Sequence, residues 1–88
     1  MKGKYEHKYT PRFNKLLKKL YPSLKSEAVK AINDFKDETN HQSLKLHKLT
    51  GALDGHYSFS INYKYRIIIK FVATDVVFLD IGDHDIYK

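Results

Sequence analysis

From His56 to Ile81 the chain carries the pattern of three consecutive strands. His56 to Tyr63 alternates, with Tyr57, Phe59, Ile61 and Tyr63 on one side and His56, Ser58, Ser60 and Asn62 on the other. That period of two marks a strand with one wet face. A short turn at 62–64 leads into Tyr65–Val72, apolar on both sides and therefore central. Ala73-Thr74-Asp75 turns the chain back, and Val76–Ile81 is a third buried strand that Gly82 ends. Such a sheet has an apolar face that another layer must cover.

The first half supplies the cover. Thr10 can cap free N–H groups and Pro11 suits a first helical turn. Phe13, Leu16, Leu17 and Leu20 then fall on one helical face, and Pro22 stops the helix near Leu20. Ser23 is positioned to cap a second helix, with Glu27 near its positive end and Leu24, Ala28, Ile32 and Phe35 as its apolar face, until Thr39-Asn40-His41 ends it. Tyr5–Tyr9 reads as a short strand. Gln42–Asp54 reads as a connection pinned by Leu44, Leu46, Leu49 and Leu53, with turns at Gly51 and Asp54-Gly55. The expected architecture is α+β, a single domain over residues 1–88 in which a two-helix hairpin packs on an antiparallel β-sheet in the order β-α-α-β-β-β.

Composition narrows the function classes. There is no cysteine, which excludes disulfide scaffolds and cysteine-ligated zinc and suits a reducing cytoplasm. No apolar run approaches the roughly 20 residues of a membrane helix, so no membrane association is expected, and Met1-Lys2-Gly3-Lys4 does not open a signal peptide. Residues 1–53 hold 12 Lys and Arg against 5 Asp and Glu, whereas residues 54–88 hold 4 against 5. A basic half beside a near-neutral half fits either a surface that meets a polyanion or a solvated lysine-rich helical face.

Strand pairing locates a candidate site. A hairpin about Ala73–Asp75 puts Arg66 opposite Ile81 or Gly82, with His84 just beyond, so Arg66 and His84 share one end of the sheet beside the 62–65 turn. His56 falls at the other end. A histidine that titrates near neutral pH can move a proton, and an arginine can stabilise the added charge of a five-coordinate phosphate. Tyr87 can stack on a base or donate a proton. Lys64, together with Lys45 and Lys48 from the connection and Lys15, Lys18 and Lys19 from the first helix, supplies positive charge for RNA. In RNA the 2′-hydroxyl is a built-in nucleophile, so neither a metal nor a cofactor is expected. Asp83 and Asp85 flank His84 and favour its imidazolium form, which suits a general acid. Plainer roles compete: Arg66 paired with Asp80 or Asp83, His84 as a surface residue, the strand tyrosines as core, and His7 and His41 as solvated side chains. A metal site from Asp80, Asp83, His84 and Asp85 is disfavoured, because neighbours on an extended chain point to opposite sides.

Several segments resemble the RelE/ParE superfamily of toxin–antitoxin toxins, particularly RelE-type mRNA interferases of the YafQ and YoeB kind. They are Tyr9-Thr10-Pro11-Arg12-Phe13, Leu46-His47-Lys48-Leu49-Thr50-Gly51, Tyr57-Ser58, Tyr65-Arg66-Ile67-Ile68, and Ile81-Gly82-Asp83-His84-Asp85 with Tyr87. The resemblance implies two helices on an antiparallel sheet and a ribosome-dependent endoribonuclease. It also implies a cognate antitoxin as partner, in a toxin–antitoxin hetero-oligomer. By the same resemblance His84 matches a catalytic C-terminal histidine, His47 a histidine ahead of the Leu-x-Gly turn, Arg66 the arginine at the scissile phosphate, and Tyr87 a C-terminal aromatic. Ser58-Phe59-Ser60-Ile61 departs from the pattern where many relatives place an arginine. The ParE-like branch inhibits DNA gyrase without cutting RNA, so a gyrase inhibitor or a degenerate, inactive toxin stand as the alternatives.

Overall fold

The computed structural model describes residues 5–51 and 55–83. Strand β1 (Glu6–Tyr9) leads into helices α1 (Pro11–Lys19) and α2 (Pro22–Phe35), followed by a single 3-10 turn at Glu38–Asn40. Strands β2 (His47–Lys48), β3 (His56–Ser60), β4 (Tyr65–Val72) and β5 (Asp75–Asp83) complete the chain's order. All five strands form one sheet in the order β1-β5-β4-β3-β2. The β2–β3–β4–β5 part is antiparallel, and β1 joins β5 in parallel, making the sheet mixed.

Local chemistry accounts for the helix boundaries. The Thr10 hydroxyl accepts from the Phe13 N–H at 3.0 Å and donates to the Phe78 carbonyl at 3.0 Å. One side chain thus caps α1 and ties it to β5. Pro22 both stops α1 and starts α2, where its fixed φ suits the first turn. Tyr21 is therefore the N-cap residue, and no side chain caps α2. Ser23, expected as the cap, lies inside the first turn.

One face of the sheet is covered. Phe13, Ala31, Ile32 and Phe35 from the helices pack with Phe59, Ile67, Ile69, Val76, Phe78 and Ile81 from the strands. Phe35 stacks on Phe59 with ring centroids 4.5 Å apart and meets Phe78 edge-on at 6.0 Å. Each fully buried ring of this size contributes about 1.5–3 kcal/mol. Leu44 and Leu46 pack against the same cluster and Leu49 is buried, as expected of the connection; Leu53 and Asp54 lie outside the described residues. Two histidines join this layer instead of the solvent. His41 stacks on Phe35 at 4.5 Å and its Nε2–H donates to the Phe35 carbonyl at 2.8 Å. His7 sits between Phe35 and Phe78, and burial, then the Lys36 charge, lowers its pKa from 6.5. Alternation of β1 puts His7 inward, and a neutral imidazole can pack as an aromatic.

Candidate functional site

The opposite face carries Arg66, Ile68 and Lys70 from β4, with Ser60, Ser58 and His56 paired to them from β3. Asp80 and Gly82 complete it on β5. No helix among the described residues packs on this side. Ser58 and Ile68 are nevertheless buried at its centre. No buried side-chain nitrogen or oxygen lacks a hydrogen-bond partner among the described residues, so the Ser58 hydroxyl is satisfied.

Arg66 pairs with Gly82, as the hairpin register requires; a one-residue shift between Ile68 and Ile69 selects Gly82 over Ile81. Its guanidinium Nη1 donates to the carbonyls of Asn62 at 3.0 Å and Tyr65 at 3.3 Å. One lies in the β3–β4 turn and the other at the first residue of β4, and together they fix one edge of the guanidinium. Arg66 forms no ion pair with Asp80, whose carboxylate faces Arg12 of α1 at 3.4 Å instead.

His47 enters the same face through β2, a strand that sequence reading took for irregular connection. It pairs with Ser58, which pairs with Ile68. His47 and Arg66 therefore stand two strands apart, about 10 Å across the sheet and about 7 Å along it. The His47 Nδ1 lies 2.9 Å from the Lys45 carbonyl. A carbonyl can only accept, so Nδ1 carries the proton in this contact. Lys45 takes a left-handed backbone, φ 60°, as the chain turns into β2, and its role here is that of its carbonyl.

The remaining expected residues divide. Lys64 lies in the turn beside Arg66, with Nζ 5.6 Å from the Tyr65 ring centroid. Lys48 pairs with Tyr57 and so belongs to the helix-covered side of the sheet. Lys15, Lys18 and Lys19 are exposed on α1, which packs on β5, three strands from β2. The lysines thus do not form one patch. His56 pairs with Lys70 at the far end, as expected. His84, Asp85 and Tyr87 lie outside the described residues.

Sequence reading missed Asn62. Its Oδ1 accepts the backbone N–H groups of Lys64 at 2.9 Å and Tyr65 at 2.8 Å, and its Nδ2 donates to Glu27 Oε1 of α2 at 2.8 Å. An asparagine heading a tight turn is a recognisable signal for the first pair. Nothing local announces a partner 35 residues away.

Comparison with known proteins places this geometry in a family. In fold, the chain is similar to the YoeB dimer of Staphylococcus aureus (TM-score 0.69, 20% identity, 92% of this chain and 98% of that one). It is also similar to the toxin–antitoxin complex RelBE2 of Mycobacterium tuberculosis (0.65, 23%, 91% and 98%) and to YafQ of Escherichia coli (0.61, 18%, 93% and 96%). Curated proteins give no match. The family model of the RelE-like toxin of type II toxin–antitoxin system HigB matches residues 2–84, nearly the whole chain, and the protein belongs to that family of RelE-like toxins.

Proposed function

We propose that this toxin is a ribosome-dependent mRNA endonuclease that cleaves through the 2′-hydroxyl. The observation that supports it is the sheet face on which, among the described residues, no helix packs: Arg66 stands there with one guanidinium edge pinned, and His47 stands there with its Nδ1–H held by the Lys45 carbonyl. His47 Nε2 removes the proton of a 2′-hydroxyl, and the freed O2′ forms a bond to the adjacent phosphorus. The bond from phosphorus to O5′ breaks, and O5′ takes a proton from His84, which follows Gly82 by two residues. The products are a 2′,3′-cyclic phosphate and a 5′-hydroxyl. Arg66, supported by Lys64, offsets the charge that builds on the phosphate. Tyr87 stacks on a base or shares in the proton transfer. Lys45, Lys48 and the α1 lysines Lys15, Lys18 and Lys19 contribute a long-range field more than contacts at the scissile phosphate. The chemistry requires no metal because the substrate brings its own nucleophile.

The toxin acts in the cytoplasm, where ribosomes are, and is held inactive by a cognate antitoxin. Family membership and the similarity in fold to a solved toxin–antitoxin complex support that partner. The test is expression in a translation extract, with mRNA ends mapped beside Arg66→Ala, His47→Ala and His84→Ala. Codon-positioned cuts that are lost or strongly reduced in the variants are expected. Intact mRNA with the wild-type protein overturns the reading, and a gyrase supercoiling assay then separates a gyrase inhibitor from an inactive toxin.

A further inference from the structure

The β3–β4 turn connects α2 to Arg66 through one residue. Besides a long backbone N–H bond to the Tyr65 carbonyl, Asn62 makes four hydrogen bonds in three directions: Oδ1 accepts from two backbone N–H groups of its own turn, Nδ2 donates to Glu27 Oε1 on α2, and its carbonyl accepts from Arg66 Nη1. The first pair closes the turn, and the last bond is made by the closed turn to Arg66. The bond to Glu27 is the sole one among these that reaches another layer, and it anchors the turn to a helix whose own face is buried in the core. An unrestrained arginine on a half-exposed strand samples many rotamers and must lose that freedom in the transition state. Here the freedom is lost in advance.

We infer that Asn62 and Glu27 are positioning residues that hold Arg66 for phosphate, with Glu27 acting through Asn62 and Asn62 through the turn. The inference rests on the phosphodiester reading for its effect on rate, but the restraint on Arg66 can be read without cleavage. Asn62→Asp keeps the Oδ1 acceptor for Lys64 and Tyr65, removes the donor to Glu27, and sets two carboxylates together. Adding Glu27→Gln restores a hydrogen bond of reversed direction, from the glutamine amide to the aspartate.

The experiment measures cleavage of a reporter mRNA on ribosomes for wild type, Asn62→Asp, Glu27→Gln with Asn62→Asp, Arg66→Ala, and Arg66→Ala with Asn62→Asp. In the same proteins, ¹⁵N NMR follows rotation of the Arg66 guanidinium, and thermal melting checks the folded fraction. Asn62→Asp is expected to lower kcat by roughly 10- to 100-fold with KM little changed. The double exchange should recover most of that loss, and the Arg66→Ala background should show no further loss. Rotation of the Arg66 Nη groups should be restricted in wild type and in the double exchange, and fast in Asn62→Asp. An unchanged kcat, an equal loss with and without Arg66, or restricted rotation in Asn62→Asp overturns the inference. A wild-type protein that leaves mRNA intact yet releases Arg66 rotation on Asn62→Asp keeps the positioning and rejects the nuclease.

Discussion

The two faces of the sheet use the same strands for opposite purposes. On the helix side, Phe35, Phe59 and Phe78 interlock with Ile67 and Ile69, and each residue there is accounted for by what it excludes from water. On the other side, Ser58 is buried among Arg66, Lys70 and His47 positions, with no helix above them among the described residues. Packing explains the first face. The second keeps polar groups at hydrogen-bonding positions on a rigid platform, an arrangement that serves chemistry more than stability. Substitutions on one face should therefore change folding, and substitutions on the other should change activity.

The largest expected effect is on the covered face. Phe35→Ala removes a ring stacked at 4.5 Å on Phe59 and should cost about 3–5 kcal/mol, read as a lowered urea midpoint. For a domain this small that is most of the stability. On the open face, Arg66→Ala should reduce mRNA cleavage by roughly 10²–10³ while moving Tm little. A matched loss of stability would erase the distinction between the faces. Ser58→Ala marks the limit of the contrast: this hydroxyl is on the second face yet buried and satisfied, so removing it should cost about 1–2 kcal/mol, read as a lowered urea midpoint, because its partner is left unpaired.

The smallest effect concerns His7. Its folded pKa lies below the 6.5 of the free side chain, with burial the main cause and Lys36 the second. The unfolded chain therefore takes up the proton first as pH falls. The contribution of His7 is fully present above 6.5 and declines as pH drops from there through the folded value. Urea midpoints at about pH 7.5 and about pH 5.5 should differ more for wild type than for His7→Gln. An equal difference in both would show that His7 does not couple to folding.

Much of this was legible in the chain. Alternation exposed β3, the doubly apolar run exposed β4, and the length of the β4–β5 turn set Arg66 opposite Ile81 or Gly82, between which the register shift at Ile68–Ile69 decides for Gly82. What stayed hidden has one cause: it depends on contacts between distant segments. Strand β2 has two residues, too few for any periodicity, yet it carries His47 onto the open face. The parallel pairing of β1 with β5 leaves no local trace. His7 and His41 read as polar, and only their aromatic neighbours reveal that they pack as rings. The lysines read as one basic half because sequence counts charge without saying which layer bears it.

The parallel strand also has a consequence for the order of assembly. Glu6 pairs with Asp75, and Thr10 reaches Phe78 across 68 positions. The β3–β4–β5 meander is built from near neighbours and can form early, whereas β1 must wait for nearly all of the chain before it has an edge to join. The cap of α1 is finished by the same Phe78 carbonyl, so this helix too is completed late. On a translating ribosome, the N-terminal strand and the start of α1 therefore remain without their partner until β5 has been made. The toxin cannot close its fold before that point in its own synthesis.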